Sequence, residues 1–107
     1  MELRQSPRFA ADLPVSFAAH EFEGLQQGTT YNLSMGGCAV ESPVSVEVGT
    51  HVALYIHAPG EATPIAIELA AVRRAMRREF AVQFITIQDG ERRRLASLIQ
   101  TLVKPFA

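Results

Sequence analysis

Two short stretches carry the side chains best suited to chemistry. In "RQSPR", Arg4 and Arg8 stand four residues apart around Pro7, and in "NLSMGG" an amide, Asn32, a hydroxyl, Ser34, and the glycines Gly36 and Gly37 fall within six positions. A guanidinium presents a planar fork of N–H donors that grips phosphate or carboxylate oxygens in pairs, which the point charge of lysine cannot do. Pro7 biases Ser6 toward extended backbone, so the two arginines define an arm roughly 13 Å long at ~3.3 Å per residue, enough to clasp one dinucleotide-sized anion, the alternative on spacing alone being an unstructured, solvated tail. Asn32 offers a carbonyl acceptor without negative charge, Ser34 can bond a ligand or its own turn, and Gly37 suits a close backbone approach or a positive φ. Gly36 reads as a turn residue. A plain turn accounts for each residue of the second stretch singly, but it does not account for the paired arginine arm.

The remaining arginines read differently. Arg73, Arg74, Arg77 and Arg78 cluster around an expected hairpin, and Arg92, Arg93 and Arg94 open an expected helix. Arg77, Arg78 and Glu79 form a solvated turn in this reading, and the helix arginines line a wet face.

Catalytic machinery is not visible. His20, His51 and His57 lack the helical or hairpin spacing that would bring two imidazoles to one metal. Ser34 is not in the G-x-S-x-G pattern of a nucleophile elbow, and the glycines lack the G-K-S/T of a phosphate loop. Cys38 is the only cysteine, which excludes an intrachain disulfide and reads as a small buried hydrophobe. The expectation is a protein that is not an enzyme and carries no metal or cofactor.

Ten Lys+Arg against eleven Asp+Glu leave a formal net charge of −1, so no global field draws the chain to nucleic acid or an anionic membrane. Any anion site must be local. No apolar run approaches the roughly 20 residues of a spanning helix, and the first residues lack a secretion signal's apolar stretch; a soluble, cytoplasmic chain is expected.

These groups need a scaffold, and 107 residues suffice for one domain. Period-two alternation marks strands in "LPVSFAA", "TTYNLS", "GGCAVES", "HVALYIHA", "IAIELAAV" and "FAVQFITI". From Asp89 the period changes: Leu95, Leu98, Ile99, Leu102 and Val103 make one helical stripe, with Asp89 as N-cap and Glu91 near the positive end of the dipole. Six short antiparallel strands suggest an all-β closed barrel, since closure removes exposed edges, with a single C-terminal helix capping it. The expected division is an arm over 1–9, a barrel over 10–88 and a helix over 89–104.

In this order, R-x-x-x-R followed by N-x-S-x-x-G, the two motifs resemble the PilZ family of bacterial cyclic di-GMP receptors, and Arg4, Arg8, Asn32, Ser34 and Gly37 match position by position. The likeness extends through the chain, since PilZ domains are six-stranded antiparallel barrels of this length ending in a helix. The resemblance implies cyclic di-GMP as ligand, bound by those five residues, with the arm ordering on binding and the new surface read by an unidentified effector protein. It also implies one of two stoichiometries; Leu3 supplies no third cation, which favours one ligand per domain over a stacked pair. One departure falls at Arg74, where many relatives carry an aromatic, so Arg74 is an ancillary candidate. Two other classes remain: a PilZ-fold interaction module that binds no nucleotide, and a small nucleic-acid-binding barrel, which the charge balance and the few aromatics disfavour.

Overall fold

The expected strands all form, and they close on one another. The computed structural model describes residues 9–102. Its elements are β1 (Phe9–Ala19), β2 (Gln26–Leu33), β3 (Gly37–Glu41), β4 (His51–Ile56), β5 (Ile65–Met76), β6 (Glu79–Thr86) and α1 (Asp89–Leu102). Neighbouring strands are antiparallel throughout, and the order β1-β2-β3-β6-β5-β4 returns to β1 as a closed barrel.

The core is the inward half of the alternation. Val15 and Phe17 of β1, Leu33 of β2, Val40 of β3, Leu54 and Ile56 of β4 and Ile67 of β5 are fully buried. Each contributes roughly 1.5–3 kcal/mol by leaving water. Phe17 meets Phe80 edge to face at 5.1 Å between ring centroids, the arrangement favoured by the ring quadrupoles. Cys38 lies in this core, as a small hydrophobe should.

α1 closes the barrel by burying Leu95, Leu98 and Ile99 against it. It begins one residue earlier than the capping reading had it. The Gln88 carbonyl already accepts the Arg92 N–H at 2.8 Å, so Gln88 holds the cap position and Asp89 the first turn. Glu91 reaches the edge of β5 beyond the end of β6, where its Oε1 accepts the Ala66 N–H at 2.8 Å. A helix side chain thus satisfies a backbone donor that the ladder leaves unpaired.

Strand ends differ from the alternation-based reading where bulges interrupt the period. β1 starts at Phe9, not Leu13, because the register between Ala10 and Leu13 shifts against β2 and hides the earlier pairs. Phe9 therefore belongs to the barrel rather than to the arm. β5 continues past Val72 to Met76, because a second shift, between Val72 and Arg74, breaks the alternation of "VRRAM". Val103 and Lys104, assigned to the helix, lie outside the described residues, as do Arg4 and Arg8.

Candidate functional site

Two of these bulges build one outer surface. On β2, Thr30 faces Val40 and Asn32 faces Ala39, which leaves Tyr31 as the extra residue. Tyr31 and Asn32 consequently both face outward. On β5, Val72 faces Val82 and Arg74 faces Ala81, which leaves Arg73 extra and turns Arg73 and Arg74 outward together. Between the bulged strands run β3 and β6, whose outward residues Gly37, Ala39 and Ala81 are small. Cross-strand pairing joins Ala10, Asn32, Ala39, Ala81 and Arg74 in one row over five strands. At about 4.8 Å per strand, Asn32 and Arg74 stand roughly 14 Å apart across a floor of methyl groups and backbone.

Side chains pin the β2 bulge. The Thr30 hydroxyl lies 2.7 Å from both the Asn32 and the Ala39 carbonyl oxygens, and Asn32 Oδ1 accepts the Ala39 N–H at 3.0 Å. The carbonyl oxygen expected to receive a ligand donor thus already receives one backbone donor, which fixes its direction.

Ser34 works inside its own turn. The Ser34 N–H donates to the Gly37 carbonyl at 2.9 Å, and Ser34 Oγ accepts the Gly36 and Gly37 N–H groups, each at 3.1 Å. With Ser34 2% exposed, its hydroxyl shapes the turn. The turn is tied to β6 where the Phe84 N–H donates to the Gly36 carbonyl at 2.8 Å. Gly37 has no positive φ. Its close approach is to the protein itself, since a Cβ there would lie 2.3 Å from the Val82 carbonyl oxygen. Any side chain at 37 would push β3 off β6.

Tyr31 and Glu79 belong to this surface although neither stands out in the sequence. The Tyr31 hydroxyl donates to Glu79 Oε2, so the side chains of β2 and β6 meet over β3. That hydrogen bond, with burial and the carboxylate's charge, raises the Tyr31 phenol above its ordinary 10.0, against a smaller lowering by Arg74. Glu79 is therefore a strand residue with a partner, not part of a solvated turn; Arg77 and Arg78 do form the exposed turn. The signal that could have found Tyr31 is its position beside Asn32 in a strand whose partner is one residue short, and one sequence does not reveal that shortfall.

The arginines divide between this surface and the opposite end. Arg73 Nε donates to Gln83 Oε1 at 2.8 Å, while Arg74 has no hydrogen bond or ion pair among the described residues. Arg94, assigned to the wet face of the helix, is instead held on all sides. It bonds the Pro64 carbonyl at 3.2 Å and the Thr63 carbonyl at 2.5 Å, and pairs with Glu61 at 3.2 Å and Glu91 at 3.1 Å. A cleft of about 450 Å³ adjoins it between the β4–β5 loop and α1, lined by Ala58, Ile65, Ser97 and Leu98 among others.

Among the described residues no three His, Cys, Asp or Glu side chains gather as metal ligands, and no helix is long and apolar enough to cross a membrane. The architecture is a small closed barrel with Tyr31, Asn32, Arg74 and Glu79 on its outer wall. The chain belongs to the PilZ domain family, which it matches over residues 2–101.

Solved structures agree. The Bacillus subtilis inhibitor of motility MotI/DgrA is 27% identical with a TM-score of 0.72, covering 97% of this chain and 51% of that one. The chain thus spans about half of the Bacillus protein. The PilZ domain of CeSA from a cellulose-synthesizing bacterium is 25% identical over 91% of this chain and 95% of its own, with a TM-score of 0.65. The PilZ domain of Escherichia coli YcgR, solved with c-di-GMP, is 14% identical with a TM-score of 0.74, covering 94% of this chain and 92% of that one, a likeness of fold. No curated protein matches the chain in sequence.

Proposed function

We propose that this chain is a cyclic di-GMP receptor domain without catalytic activity, bound at the outer wall of β2, β3 and β6 and closed over by the arm that bears Arg4 and Arg8. The observation that carries this reading is the pairing of Phe9 with Leu33 and of Ala10 with Asn32. It sets Phe9, the residue that follows Arg8 in sequence, beside the end of β2 that carries the N-x-S-x-x-G motif, whose Asn32 lies 24 positions after Arg8. Membership of the family and the c-di-GMP carried by the YcgR domain support the choice of ligand.

The chemistry is complementary. The ligand's two phosphates and the O6/N7 edges of its guanines suit the guanidinium forks of Arg4 and Arg8. Asn32 Oδ1, oriented by the Ala39 N–H, is an acceptor for guanine N1 or N2 hydrogens, having a second lone pair. Arg74 at the far end of the row adds positive charge. Ser34 and Gly37 act by shaping the turn and by letting β3 lie close to β6. Ligand binding orders the arm on the barrel, and the resulting surface is what a cytoplasmic effector protein reads.

Calorimetry tests this. Cyclic di-GMP should bind with a stoichiometry of one per chain, GTP should not compete at similar concentration, and a chain lacking residues 1–8 should keep its cooperative melt while losing the ligand. Absence of binding to the full chain would overturn the reading.

A second reading, an interaction module that binds no nucleotide, is favoured by one observation: Asn32 Oδ1 and Ser34 Oγ both have backbone partners within the fold. The same titration separates the two.

A further inference from the structure

We propose that Tyr31 supplies an aromatic face on which a guanine base of the ligand stacks, with Glu79 as the positioning residue that holds the ring. The inference rests on the receptor reading above and adds a residue to its site.

Three observations carry it. As the extra residue of the β2 bulge, Tyr31 faces outward next to Asn32, the acceptor for a guanine edge. Its hydroxyl bond to Glu79 leads the side chain over β3 toward β6, where Glu79 faces Glu41, the outward row next to Ala39 and Ala81. Ala39 points to the outer face yet is only 1% exposed, as a residue beneath a crossing side chain should be. A base laid on the outer face of the tyrosine ring can turn its Watson–Crick edge toward Asn32, and Arg74 stands at the other end of the Asn32 row.

The energetic logic is preorganisation. The ring is tethered at both ends, by the backbone at Tyr31 and by the Glu79 carboxylate at its hydroxyl, so little rotamer freedom remains to be lost on binding. The tether also gives the Glu79 charge a hydrogen-bond donor inside an anion site. Base–aromatic stacking of this kind corresponds to roughly a 5- to 150-fold change in affinity on removal of the ring.

The chain has two tyrosines and no tryptophan, so Tyr55→Phe leaves Tyr31 as the only tyrosine emitter. In that variant cyclic di-GMP should quench Tyr31 emission along the same saturation curve that calorimetry gives. Tyr31→Leu should weaken binding about 5- to 150-fold, and Tyr31→Phe, which keeps the ring but not the tether, should recover most of it. If the wild-type chain binds and a folded Tyr31→Leu binds equally well, or if emission in Tyr55→Phe is unchanged at saturation, the inference is wrong while the receptor reading stands. If the wild-type chain takes up no cyclic di-GMP, both fall. Should Tyr31→Leu not fold, the emission of Tyr55→Phe decides alone.

Discussion

Arg94 and Arg74 are the same side chain in opposite settings. At the helix end, the guanidinium of Arg94 is surrounded by two backbone carbonyls and two carboxylates, all from the chain itself. On the outer wall, Arg74 faces outward from a bulge over a floor of small residues with no such partner among the described residues. The first region fastens the β4–β5 loop to the helix that closes the barrel. The second leaves the positive charge of Arg74 exposed at the end of a row of small residues, without a partner among the described residues that would fasten it to the fold. An arginine's role here follows from whether its donors are used up at home.

The comparison predicts that mutations at the two regions separate stability from binding. The largest effects belong to the arm. On the proposed receptor reading, Arg4→Ala and Arg8→Ala each remove charge-assisted hydrogen bonds of roughly 1.5–3 kcal/mol, so affinity for cyclic di-GMP should drop about ten-fold to a few hundred-fold, with an unchanged melt. Arg77→Ala, in the exposed turn, is the control and should leave affinity as it is. Equal losses from Arg77→Ala and Arg8→Ala in calorimetry would move the anion site to the hairpin.

Arg94→Ala should do the reverse. Two carbonyls lose their donor and the half-buried Glu91 loses its cation, so denaturant unfolding should report a loss of about 2 kcal/mol. Affinity for the ligand should not change. A weakened ligand with unaltered stability would break the comparison.

Asn32→Ala lies between the two. It removes an acceptor from guanine, costing on the order of 1–2 kcal/mol of binding, and it also strips the Ala39 N–H of its partner, costing about 1 kcal/mol of stability. Paired titration and unfolding of this one variant should therefore show both losses.

The smallest effect is a pH slope. Because the folded state raises the Tyr31 phenol above 10.0, the neutral form is favoured in the fold. That contribution is present in full below 10.0 and is lost as pH rises through the higher folded value. Unfolding midpoints of the wild type should therefore decline across this window more steeply than those of Tyr31→Phe.

Much of this was legible in the sequence, and the omissions share a cause. Alternation in "LPVSFAA" and "FAVQFITI" located strands because one face is buried, and the switch of period after Asp89 located the helix. The pairing partners of those strands were not visible locally, so neither were the bulges at Tyr31 and Arg73, which exist only as a mismatch between two strands. Hence the sequence alone does not single out Tyr31, ends β5 at Val72 and places Phe9 in the arm. Arg94 was misread for a similar reason, because its acceptors at Glu61, Thr63 and Pro64 lie about thirty residues away in sequence. The motif singles out Asn32, Ser34 and Gly37, and the structure has Ser34 holding its own turn and Gly37 letting β3 lie close to β6.

Amide shift mapping of the full chain with cyclic di-GMP tests the central claim most directly. The account predicts that the largest shifts fall at Tyr31, Asn32, Gly37, Ala39, Arg74 and Ala81, on the outer wall, while residues 58–65 and 94–101 around Arg94 stay in place. Shifts concentrated around the cleft beside Arg94, with the outer wall unmoved, would contradict it.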